Sequence, residues 1–123
     1  MTIYIEIIKK LFFLSKFDIG QSVVINNGYV LAIEGPEGTD ETIKRSLHLL
    51  KKYKLKNKSI LVKFPKANQD LRIDLPTIGF DTIKNCIKAN IKGIAVKRSQ
   101  NIILNKDKII NLVKKNNFFI ISI

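Results

Sequence analysis

An α/β domain built on one sheet of mixed strand direction is what this sequence predicts, and three observations carry the prediction. The runs Ser22-Val23-Val24-Ile25 and Tyr29-Val30-Leu31-Ala32-Ile33 flank Asn26-Asn27-Gly28, and Asn-Gly is the strongest short signal for a β-hairpin because both residues tolerate positive φ. After that opening hairpin, helical-period segments alternate with short apolar runs, the pattern that places helices between the strands of one sheet. The chain has 123 residues and is 46% apolar, which supplies one domain with its own core and is too short for two ordinary ones.

Taken in order, the chain starts with an apolar stretch, Ile3 to Leu14, interrupted by Glu6, Lys9 and Lys10. It fits a helical stripe and lacks the small-residue site of a secretion signal, so residues 1–17 read as a leading segment ahead of a domain at 18–123. The hairpin runs into the turn-rich loop Glu34 to Asp40. A helix follows from about Asp40 to Lys52, with Thr39 or Asp40 as N-cap and Ile43, Leu47 and Leu50 inward. Ser59-Ile60-Leu61-Val62 reads as a strand buried on both faces, entering Lys63. Pro76 and Gly79 break the chain before a helix from about Asp81 to Ala89. Gly93 to Val96 is a short strand, Arg98 to Gln100 a turn and Asn101 to Leu104 a strand. Asn105 caps a helix to about Lys115, and Phe118 to Ile121 closes the chain as a buried strand.

The formal net charge is +12, which fits a phosphate-rich ligand, an anionic membrane surface, a nucleic acid or plain solubility. Only Arg45, Arg72 and Arg98 are arginine; the other basic residues are lysine, and no nucleic-acid motif or interleaved aromatic platform accompanies them. The single cysteine, Cys86, excludes an internal disulfide, and with one histidine, His48, no Cys/His zinc site can be built. Cys86 reads as a small buried hydrophobe and His48 as structural.

Chemistry-bearing residues concentrate between Lys63 and Gly79. In an extended segment Asp70, Arg72 and Asp74 share one face while Leu71, Ile73 and Leu75 take the other. A straight strand holds the two acids about 13 Å apart, too far to share a cation unless the segment bends. Arg72 between them can offer its donor fork to a phosphate. Lys63 and Lys66 stand at the carboxyl end of a buried strand, where α/β folds place ligands. The loop before the first long helix offers a second corner: its free amides and helix dipole favour an anion, and Glu34, Glu37 and Asp40 can bind metal or simply cap and solubilise the helix. A solvated salt-bridge face accounts equally well for the Asp70 to Asp74 pattern.

Several ordered motifs with matching spacing now stand out: Asp18-Ile19-Gly20-Gln21-Ser22-Val23-Val24, Glu37-Gly38-Thr39-Asp40, Leu61-Val62-Lys63, Gln69-Asp70-Leu71-Arg72 and Asp74-Leu75-Pro76-Thr77-Ile78-Gly79. From about Asp18 to the C-terminus the chain resembles the C-terminal domain of the LpxI family, UDP-2,3-diacylglucosamine pyrophosphatases of bacterial lipid A synthesis. One departure is Ala67-Asn68, where the family often carries Pro-Gly; Asn tolerates a left-handed backbone better than most residues.

The resemblance implies hydrolysis of UDP-2,3-diacylglucosamine to UMP and lipid X, assisted by Mg²⁺ or another divalent cation. It implies Asp70 and Asp74 as catalytic residues and metal ligands, with Glu37 and Asp40 as further ligands. Lys63, Lys66, Gln69, Arg72, Thr77 and Thr39 would contact substrate. It further implies a cytoplasmic protein and an N-terminal half of the cleft that this chain lacks and that a separate chain could supply; peripheral contact with the anionic inner face of the membrane stays open. Self-association stays open. Against this stand an inactive remnant and a non-catalytic basic module for RNA or anionic lipid.

Overall fold

The computed structural model describes residues 22–63, 77–96, 102–103 and 106–122. The Ile3 to Leu14 stretch, the Asp70 to Asp74 segment and the Arg98 to Gln100 turn lie outside these residues. The order is β1 (Ser22–Asn26), β2 (Tyr29–Ile33), α1 (Thr39–Lys52), β3 (Ser59–Lys63), β4 (Thr77–Ile78), α2 (Phe80–Lys88), β5 (Ile91–Val96), β6 (Ile102–Ile103), α3 (Lys106–Lys115) and β7 (Phe119–Ser122). This is the α/β domain with a hairpin followed by alternating helices and strands that the sequence predicts. The turn forms as its residues dictate, with Asn27 at φ 48° and Gly28 at φ 92°.

Five strands form one mixed sheet in the order β2-β1-β3-β5-β7; β1 is antiparallel to both neighbours, and β3, β5 and β7 are parallel. The crossovers β2-α1-β3, β3-α2-β5 and β5-α3-β7 all step across the sheet in one direction. Right-handed crossovers then put all three helices on the same face. The packing agrees: Val24, Leu61 and Ile94 of the sheet share a core with Ile43 of α1, Ile83 of α2 and Ile109 of α3. The other face is apolar as well, and Val23, Ile25, Val62 and Ala95 are fully buried on it, although no described helix lies there.

Four details differ from the sequence reading. The N-cap of α1 is Gly38, not Thr39 or Asp40, and no side chain caps the helix; the Thr39 hydroxyl is drawn to Glu34 instead. The closing strand β7 is half-buried or exposed along its length, and among the described strands it has one neighbour, β5, at the edge of the sheet. The Ile102–Ile103 pair joins Thr77–Ile78 in a separate parallel two-stranded ribbon. His48 is exposed on α1, outside the inward stripe of Ile43, Leu47 and Leu50.

Candidate functional site

The strand direction decides which side chains meet. At the carboxyl ends of β2 and β3, Ser22 of β1 lies opposite Lys63 of β3, and Glu34 follows β2 directly. Leu61 points into the helix-side core, so Lys63, two residues on, points to the same side and is only 8% exposed. The Glu34 amide donates to the Ser22 carbonyl at 2.9 Å, and the Ser22 hydroxyl donates to Glu34 Oε1 at 3.0 Å. The Thr39 hydroxyl donates to the same oxygen. Glu34, itself buried, thus ties the ends of β1 and β2 to the first turn of α1.

Burial pulls the Lys63 ammonium below its ordinary pKa, and the charges of Glu34 and Asp40 act against that pull. Lys63 is thus a largely desolvated lysine within electrostatic reach of two acids, at the edge where α/β folds receive ligands. Cys86 of α2 lies close enough to feel Lys63 and Asp40. Burial is the main force on its thiol and pushes it up to about 12, which removes Cys86 as a nucleophile at neutral pH and bears out its reading as a small hydrophobe.

Glu37 has a different neighbourhood. Its Oε1 accepts from Arg45 Nη2 at 2.9 Å and from the Thr42 hydroxyl at 3.0 Å, while Arg45 also donates to the Ile33 carbonyl at 2.7 Å. The Arg45 bond, followed by that of Thr42, holds the carboxyl below the usual carboxylate range. Glu37 therefore clasps the loop to the exposed flank of α1. Among the described residues no three His, Cys, Asp or Glu side chains converge as a metal site would require.

The fold thus gathers Lys63, Thr39 and Asp40 in one corner and leaves Glu37 on its outer flank. Thr77 opens β4. Lys66, Gln69, Asp70, Arg72 and Asp74 lie outside the described residues, in the stretch that begins right after Lys63. Sequence reasoning ranks Glu34 merely among loop acids and gives Ser22 no task, yet the two organise the corner. Their signal is a polar residue at the very end of an otherwise apolar strand.

The family model of the LpxI C-terminal domain matches residues 3–121. The chain belongs to the LpxI C-terminal domain family. The match takes in the leading stretch as well as the sheet. A curated relative, the UDP-2,3-diacylglucosamine pyrophosphatase LpxI of Caulobacter vibrioides, is 31% identical over 113 residues. That alignment covers 89% of this chain and 40% of the relative, so the chain spans well under half of that enzyme's length.

Proposed function

We propose that this chain is the phosphate-handling domain of an LpxI-type UDP-2,3-diacylglucosamine pyrophosphatase. The observation that carries the reading is the position of Lys63. In a chain of this family it sits buried, within electrostatic reach of Glu34 and Asp40, at the carboxyl end of a central strand, and the residues with the expected chemistry follow it in sequence. The reaction transfers a phosphoryl group to water: a new P–O bond forms, the P–O–P bridge breaks, and UMP and lipid X separate.

In that reading Lys63, Lys66 and Arg72 hold the negative diphosphate, Gln69, Thr77 and Thr39 orient it, and Asp70 and Asp74 take the proton of the attacking water or hold a cation together with Asp40. A divalent cation such as Mg²⁺, when bound, would offset charge on the phosphoryl oxygens. Asp40 is the described member of that donor set, and its place beside Lys63 fits a site where cationic and anionic groups alternate. The protein would work in the cytoplasm, at the inner face of the membrane; no described helix is long and apolar enough to cross a bilayer.

The test is UMP release from UDP-2,3-diacylglucosamine with Mg²⁺ present, for this chain alone and mixed with the part of the Caulobacter enzyme that it does not match. Activity in either arm, lost at least about a hundredfold in Asp70→Ala and Asp74→Ala, supports the reading. Unchanged turnover in both variants removes these acids from the mechanism, and no release in either arm ends the proposal.

A further inference from the structure

Charge in this molecule is sorted by pole. The described acids Glu34, Glu37, Asp40, Glu41, Asp81 and Asp107 all lie in the β2-α1 connection or in the first turns of the three helices, at the carboxyl edge of the sheet. The opposite pole is formed by the helix C-termini, the amino ends of the parallel strands and the β1-β2 turn, since Asn26 lies opposite Ser59. There the last turn of α1 and the connection after it carry Lys51, Lys52, Lys54, Lys56 and Lys58, all exposed. Lys88 and Lys92 stand at the end of α2 and the start of β5, and Lys114 and Lys115 close α3, again all exposed. None of these connections contains an acid or an arginine.

Helix dipoles favour cations in a last turn and so account for Lys51, Lys52, Lys88, Lys114 and Lys115. They do not account for Lys54, Lys56, Lys58 and Lys92, which lie beyond the helices. The backbone that displays these residues is fixed: Leu55 N–H donates to the Leu50 carbonyl at 2.9 Å, and the Asn26 side-chain amide donates to the Lys56 carbonyl at 2.8 Å. Two aromatic rings share the pole. Tyr53, 60% exposed, lies after α1 with Lys52 Nζ 5.4 Å from its centroid, and Tyr29, 44% exposed, follows the hairpin turn.

We infer that this pole docks on an anionic lipid surface. Lysine is a compact point charge on a flexible stem, suited to headgroups that move to meet it, whereas base and phosphate readout in nucleic acids leans on the arginine fork that is absent here. Exposed tyrosines on a lysine-rich pole have the amphipathic character of side chains at a membrane interface, with the ring among headgroups and the hydroxyl in water. The α1 helix separates the two poles by about 20 Å, so docking leaves the Lys63 edge uncovered. This inference is independent of the pyrophosphatase reading, because it needs only the charge distribution and the exposed rings.

The test uses the full chain and vesicles of equimolar phosphatidylglycerol and phosphatidylcholine, against pure phosphatidylcholine, in a cosedimentation assay at low and physiological salt. Binding to the anionic vesicles alone, weakened at least about tenfold by physiological salt, is expected. The variant Lys54→Glu/Lys56→Glu/Lys58→Glu should lose at least about tenfold in binding, while Lys44→Glu/Lys84→Glu/Lys108→Glu, with the same change in net charge on other exposed sites, should lose no more than about threefold. Lys→Gln at the three loop positions gives a smaller loss in the same direction and serves if the charge reversal disturbs folding. Equal losses in both triple variants, or no binding to anionic vesicles at low salt, overturn the inference. So does poly(U) RNA that binds the chain at physiological salt while vesicles do not.

Discussion

Gly93 has no room for a side chain. It faces Phe119 across the β5-β7 pair, and a Cβ built there would meet the ring at 2.4 Å. Gly93→Ala must push the ring aside and should cost about 1–3 kcal/mol in urea unfolding, part of it recovered by Gly93→Ala/Phe119→Leu. Cys86 offers a second measurement. Its folded thiol keeps its proton up to about 12, against an ordinary value of 9.0. The folded state therefore binds this proton more tightly than the unfolded chain, and the stability it brings is complete below pH 9 and declines as pH rises from 9 toward 12. At pH 8 a thiol reagent should modify Cys86 only at the rate of unfolding; rapid reaction with the native chain would contradict its burial. Glu34→Ala strips the Ser22 and Thr39 hydroxyls of their acceptor and takes a compensating charge from Lys63. A loss of about 3 kcal/mol is expected, with Lys63 acylated faster at pH 8 because its pKa drops further. The sequence made Cys86 legible, since one thiol among apolar helix positions packs as a hydrophobe. It did not expose Gly93, because the ring that crowds it arrives from a strand 26 positions away in register.

At the scale of elements, α1 depends on how it starts. Gly38 stands at φ 86° and ψ 172°, a region open essentially to glycine alone, and there is free space where its Cβ would go. The cost of Gly38→Ala is thus purely conformational, about 1–3 kcal/mol by thermal unfolding. A variant as stable as the parent would show that position 38 adopts this backbone conformation, or another, at no cost with a side chain present. The helix itself was readable from the spacing of Ile43, Leu47 and Leu50. The cap was not: Thr39 is a good capping residue in isolation, and only the buried Glu34 carboxylate, brought beside it by the end of β2, competes for its hydroxyl. Glu37, a candidate ligand in the sequence, accepts from Arg45, two turns along a helix whose exposed flank the sequence pattern does not specify.

The whole molecule carries +12, with its described acids gathered at one edge and a lysine-rich pole, free of acids among the described residues, at the other. Repulsion within that pole destabilises the compact state and is screened by salt. Raising sodium chloride from about 0.02 to 0.5 M should therefore raise Tm by a few degrees, on the scale of about 1 kcal/mol; a fall would mean that attractive pairs dominate. Net charge was plain from composition, but its sorting was not. It arises because three crossovers run the same way, so the N-termini of the three described helices land at one edge and their C-termini at the other.

The sequence by itself determined the α/β class, the opening hairpin, the three helices, the inward stripe of the first of them and the family, because periodicity, turn residues and ordered motifs are properties of neighbouring positions. Tertiary structure alone decided that all three helices share one face, that Ser22, Glu34, Thr39 and Lys63 meet in one corner, and that the lysines of separate connections form one surface. Those outcomes depend on strand order and direction, which join residues far apart in the chain through hydrogen-bond registers that no local pattern encodes.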